Sequence, residues 1–142
     1  MTKLIPAALL AFVLACSSTP SWTEYKTGPV TVQFPCKPST AAAVTKCVRP
    51  DGSEYAIAVV DKEGISDEEE LKQSKEYAEN IPYGTLVKMD AFPLRWRESR
   101  RTVIIDSTLY YKGGKEYVVS VSYTTEKPPA ITDEFLGKVK VD

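Results

Sequence analysis

Two alternating runs, residues 102–111 and 116–124, stand on either side of Gly113-Gly114. A side-chain period of two marks a strand whose two faces differ. A Gly-Gly pair takes the positive φ angles that a tight hairpin turn requires. The two runs therefore predict a long antiparallel hairpin. Val103, Ile105 and Leu109 share one face of its first arm, and Tyr117, Val119, Val121 and Tyr123 share one face of the second. Ser120 and Ser122 alternate with the latter set, which predicts a solvated back and a sheet covered on one side.

Shorter strand patterns precede the hairpin. Val30-Thr31-Val32-Gln33-Phe34 alternates and is stopped by Pro35 and Pro38. Residues 44–48 read as a second strand. Pro50-Asp51-Gly52 supplies a turn into a third at 54–61, with Tyr55, Ile57 and Val59 on one face. Ala56, Ala58 and Val60 keep its other face small, as close packing by a helix would require. Ser66 with Glu69 three residues later is a capping box opening a helix that runs to about Asn80 and ends before Pro82. Leu71, Ser74, Ala78 and Ile81 form its expected buried stripe, with Tyr77 beside it. The acidic run Asp67 to Glu70 is read as the solvated first turn, where carboxylates suit the helix dipole. It is not read as a calcium site, because successive helical side chains diverge. Residues 85–89 and 94–98 add two more strands. Residues 131–138 predict a short last helix, with Thr132 as candidate cap and Phe135, Leu136 and Val139 docking on the sheet. Strands, a helix, more strands and a last helix give an α+β domain. The expectation is one antiparallel sheet of about six strands, with one longer helix and a short C-terminal helix packed on it.

Chemistry is constrained chiefly by a missing residue type. The 142 residues include no histidine. That removes the usual general base near neutral pH and the commonest nitrogen ligand of metals, so Ser-His-Asp and Cys-His systems are excluded. Any sharp change in behaviour between about pH 6 and 7.5 then requires a perturbed carboxylate. Lys and Arg total 18 against 19 Asp and Glu, so no basic field attracts nucleic acid. Asp61, Asp90, Glu98 and Asp106 are scattered, and nothing marks two of them as a catalytic pair. The expectation is a protein that is not an enzyme and needs no cofactor or metal.

The N-terminus gives an address. Met1-Thr2-Lys3 is a short positive end, and an apolar stretch follows to Ala15. Twelve residues at about 1.5 Å each reach roughly 18 Å, short of a bilayer core, so the pattern is that of a secretory signal. Val13-Leu14-Ala15-Cys16 resembles the lipobox of bacterial lipoproteins, with Leu14 larger than the small residue usual at its position. That resemblance implies cleavage before Cys16 and lipidation of its thiol, anchoring the chain stably to a membrane. It also implies residence in the bacterial cell envelope, and Ser17 favours the periplasmic side of an outer membrane where the source has one. The expected organisation is a signal peptide at 1–15, a lipidated tether at 16–23 and a single α+β domain at 24–142. With Cys16 assigned to lipid, Cys36 and Cys47 remain as a pair. An oxidising compartment makes them a disulfide, expected to join two neighbouring strands across the loop 37–46.

Arg95-Trp96-Arg97, extended by Arg100 and Arg101, is the one local basic cluster and a candidate patch for an anion or a partner. Glu98 and Asp106 stand near enough in sequence to neutralise it. The order of elements over roughly 28–141 resembles the small α/β/α-sandwich domains of the PsbP and Mog1 type. Val32-Gln33-Phe34-Pro35 with Pro38, the Tyr55 strand, Tyr117-Val118-Val119 and Glu134-Phe135-Leu136 carry that likeness. It implies a binding or assembly role and brings no catalytic residues with it. The functional expectation is a membrane-anchored, non-catalytic envelope module with a protein partner. The alternative is a carrier of a small apolar ligand or lipid, with the tyrosines and Trp96 lining its cavity. A carboxylate-based hydrolase is the third reading.

Overall fold

The computed structural model describes residues 19–88, 90–124 and 127–142. The signal-peptide, lipobox and Cys16 expectations lie outside the described residues. The strands are β1 (Thr23–Thr27), β2 (Val30–Phe34), β3 (Ser39–Ala41), β4 (Val44–Val48), β5 (Glu54–Asp61), β6 (Gly84–Lys88), β7 (Leu94–Arg100), β8 (Val103–Lys112), β9 (Lys115–Tyr123) and β10 (Lys140–Val141). The helices are α1 (Asp67–Asn80) and α2 (Thr132–Gly137).

The fold is mixed α+β, as the pattern predicted, but the strands form two sheets rather than one of about six. One sheet has seven strands in the order β3-β4-β5-β9-β8-β7-β6, and a second has three in the order β1-β2-β10. All pairings are antiparallel. The strands missing from the sequence reading are β1, β3 and β10, none of which has a buried residue. Every residue of β3 and β10 is exposed, and β1 never becomes fully buried. Trp22, just before β1, packs on the core, and the Lys138 ammonium sits 4.7 Å from its ring centre.

The hairpin forms as expected. β8 and β9 pair from Ile104↔Tyr123 to Lys112↔Lys115, and Gly113 and Gly114 hold φ of 59° and 75°. Because β-strand side chains alternate, the seven-stranded sheet has two distinct faces. One face presents Tyr55, Ile57, Tyr117, Val119, Val121 and Tyr123 to Val30, Val32 and Phe34 of β2 and to Phe135 and Leu136 of α2. The other face presents Leu94, Trp96, Leu109 and Tyr111 to Ala78 of α1. The helix covers this face only over the β7–β9 part: toward the other edge Val44, Val48 and Val60 are exposed and Ala58 half-buried, so the small row Ala56, Ala58 and Val60 is not the helix-packing surface expected of it. The serine row is not a solvated back: Ser107 is buried, and Ser120 and Ser122 are half-buried.

Two further local expectations are corrected. Ser66 caps α1 by accepting from the Glu69 N–H at 3.2 Å, but the buried stripe is Glu70, Ser74 and Ala78. Ser74 and Ala78 are buried as expected, Leu71 and Ile81 are half-buried against the same cluster, Tyr77 is exposed, and Glu70 is the member the pattern did not predict. The acidic run is solvated only through Glu69; Glu70 is completely buried. At α2 the capping position is Ile131, without a side-chain bond, and Thr132 is instead a buried first helical residue.

Cys36 and Cys47 form a disulfide, with Cα atoms 5.8 Å apart. It does not join neighbouring strands of one sheet. Cys36 follows the end of β2 and Cys47 lies in β4, so the bond ties the small sheet to the large one.

Candidate functional site: a polar cleft beneath the long helix

Small side chains leave a gap between α1 and the sheet. Ser74 on the helix faces Ser107 on β8 and Ser120 on β9, and between them lies a cleft of ≈ 580 Å³. Trp96, Leu109, Val118 and Tyr77 supply its apolar walls. Its polar walls are Glu70 and Gln73 from α1, Lys62 from the preceding loop, Glu98 from β7 and Glu116 from β9.

The carboxylates of Glu70 and Glu116 confront each other here. Glu70 accepts from the Ser74 hydroxyl at 3.0 Å through Oε1, while its buried Oε2 has no donor among the described residues other than a protonated Glu116. Glu116 pairs with Lys62 at 3.4 Å. Burial, then a hydrogen bond to Glu70 and the negative charge of Glu70, push the Glu116 carboxyl up to about 7, against the pull of Lys62. Two ionised carboxylates only repel. One proton on Glu116 turns that repulsion into a hydrogen bond to Glu70, which is why its proton is held to neutral pH. The indole N–H of Trp96 is buried without a partner. Buried polar atoms are almost always hydrogen-bonded, so these two atoms lining one cleft mark a place where the chain gives up stability.

The five residues of the Arg-Trp-Arg cluster do not form one surface. Arg95 and Arg97 lie on the face of the sheet that carries α2. Arg95 binds the exposed Asp133 at 3.2 Å. Arg97 binds buried Asp106 with two bonds, at 2.7 and 3.2 Å, which raises its own pKa. Tyr123 donates to the same Asp106 at 2.8 Å, and burial followed by that bond pushes the phenol up to about 12. Trp96 lies on the opposite face, in the cleft. Arg100 shares that face and pairs with Glu98 at 3.3 Å. Arg101 sits in the β7–β8 turn with φ 56°. Of the carboxylates considered for catalysis, Asp61 pairs with Lys115 at 3.0 Å, and Asp106 and Glu98 hold their arginines.

Of the residues lining the cleft, the sequence reading weighs Trp96 and the tyrosines as cavity lining and Glu98 as a candidate catalytic carboxylate. Glu70 was hidden inside an acidic run, and Glu116 was the charged start of a strand. A usable signal existed in the spacing Glu70-Ser74-Ala78, a four-residue repeat of small residues behind an acid, facing the serines of the hairpin.

A broader, more open groove of ≈ 740 Å³ adjoins the cleft, lined by Tyr77, Ile81, Tyr83, Arg100 and Arg101 among others. Among the described residues no three His, Cys, Asp or Glu side chains converge to hold a metal ion, and no helix is long and apolar enough to cross a membrane. No protein-family model matches the chain, and comparison with curated proteins gives no match.

Proposed function

We propose that the chain is a lipid-anchored, non-catalytic module of the bacterial envelope that binds a small molecule in the cleft beneath α1. The observation that carries this reading is a pair of buried polar groups lining one cleft, Trp96 Nε1 without a partner and Glu70 Oε2 without a donor unless Glu116 is protonated. At ≈ 580 Å³ the cleft falls within the size of ordinary ligand sites, about 300–1,000 Å³. The anchor rests on the likeness of Val13-Leu14-Ala15-Cys16 to a lipobox. The test is mass spectrometry of the full chain extracted from membranes, beside a Ser120→Phe variant that fills the cleft. A small molecule that leaves the wild type on denaturation and is lost from the folded variant supports the reading; equal recovery from both refutes it. The intact mass in the same experiment reads loss of residues 1–15 and added acyl chains at Cys16.

A second reading, a docking surface for an envelope protein, is favoured by Tyr83 and Tyr77, which are 84% and 60% exposed beside the open groove. Crosslinking from a photoreactive side chain at Glu76, on the same groove, in intact envelopes tests it, and products that persist in Tyr77→Ser/Tyr83→Ser would count against it.

A further inference from the structure

We infer that the ligand of the α1 cleft is a small organic cation, a protonated amine with an aromatic or alkyl body, and that it binds in exchange for a proton. This inference rests on the reading of the cleft as a small-molecule site.

Charge bookkeeping within the cleft points there. Lys62 answers Glu116 and Arg100 answers Glu98. Among the described residues no cation answers Glu70, although it is completely buried. A buried carboxylate without a counter-charge is among the costliest groups a fold can keep. An ammonium group is the complement of this wall: it donates hydrogen bonds to Glu70 Oε2 and Glu116 and supplies the missing charge. Trp96 and Tyr77 line the same cleft and offer aromatic surfaces against which such a cation packs. The unpartnered Trp96 N–H, on a residue only 6% exposed, adds a donor for an acceptor elsewhere on the ligand. A metal ion fits less well, because three ligating side chains do not converge among the described residues.

Proton exchange follows from the same geometry. Without the cation, a proton held between Glu70 and Glu116 balances the pair, and Glu116 accordingly titrates near 7. The ammonium takes over that role, and the displaced proton passes to the solvent. Besides burial, the groups that set the titration are Glu70 from α1 and Lys62 from the loop; around them stand Tyr111 of the neighbouring β8, which feels Glu70, Asp67, Glu116 and Lys62, Glu98 of β7, which is held by Arg100, and Lys115, which is held by Asp61. Of these the acids favour the proton and Lys62 opposes it.

The experiment is isothermal titration calorimetry of the full chain in detergent, with tyramine as probe and its neutral counterpart 2-(4-hydroxyphenyl)ethanol as control. Tyramine is expected to bind at least about tenfold more tightly than the alcohol at pH 8. Its affinity should rise about tenfold from pH 6 to pH 8, because at pH 6 a group titrating near 7 must first lose its proton. Heats in two buffers of different ionisation enthalpy should read release of close to one proton at pH 6. In Glu116→Gln the pH dependence should vanish, and in Glu70→Gln tyramine should lose its advantage over the alcohol. Equal binding of the two probes, with no pH dependence, overturns the cation inference and leaves the cleft standing as a ligand site. Absence of tyramine binding up to about 10 mM overturns the inference as well, while the co-purification test still decides the cleft on its own terms.

Discussion

The two faces of the seven-stranded sheet are made by the same strands and do different work. β9 sends Val119 and Val121 to one side, where both are completely buried against β2 and α2. It sends Glu116 and Ser120 to the other, where they line a cleft. On the first side aromatic rings meet edge to face: Tyr55 and Phe135 lie 5.1 Å apart at 81°. On the second, small side chains leave room, Trp96 Nε1 lacks a partner, and Glu70 Oε2 lacks a donor unless Glu116 is protonated. A fold that concentrates its stability on one face can hold unfavourable groups on the other without unfolding. That division separates what keeps the chain folded from the cleft proposed as its binding site.

The division is broken most directly by matched substitutions. Phe135→Ala should cost about 3–5 kcal/mol in urea denaturation, since the ring is completely buried between Phe34 and Tyr55. Ser120→Ala in the cleft should stay within about 0.5 kcal/mol. Similar costs for the two would mean that both faces are ordinary core. Next in size is the disulfide. Its cysteines are 11 residues apart, so Cys36→Ser/Cys47→Ser should lose about 2–3 kcal/mol by freeing the unfolded chain. Cleft affinity should be unchanged, because the bond lies on the packed side.

Comparable in size is the pH response of the cleft. Glu116 has its pKa raised from 4.5 to about 7 on folding, so its favourable contribution is complete below pH 4.5 and is lost as pH rises through 7. The wild type should therefore lose about 2–3 kcal/mol of stability relative to Glu116→Gln between pH 5 and pH 8. Thermal melts of both across that range check it. Parallel profiles for the two proteins would show that the carboxylate pair does not share a proton.

How much of this could be read from the chain depends on whether an element carries its own signal. The β8–β9 hairpin, β5 and α1 were legible because alternation, Gly113-Gly114 and the Ser66 cap are local. β1, β3 and β10 were not, because short strands with exposed side chains draw their order from a partner rather than from a pattern. The serine row misled for a related reason. Small polar residues at alternate positions look alike whether water or a cleft lies beyond them, and only the placement of α1 decides. The same placement buries Glu70 while leaving Asp67, Glu68 and Glu69 in solvent. No periodicity in four successive acids distinguishes the last one. The cysteine pair was legible, but its role of tying two sheets was not, since the second sheet was itself invisible.

The smallest expected effects test where the packed face ends. Arg95 and Arg97 point to the same side from one strand and differ in the carboxylate each holds. Asp133 is 90% exposed, whereas the side chain of Asp106 is 5% exposed and also accepts from Tyr123. Removing Arg95 strands nothing, so Arg95→Ala should change stability by less than about 0.5 kcal/mol. Removing Arg97 leaves a buried carboxylate with a single hydroxyl donor. The Arg97 side chain is itself 44% exposed, which limits the loss, so Arg97→Ala should cost about 1–2 kcal/mol. Asp106→Asn in the Arg97→Ala background should recover part of that loss, since the stranded charge goes with it. Equal and negligible costs for both arginines would make the row a solvated edge. A clear difference places the boundary of the packed face between two residues of one strand.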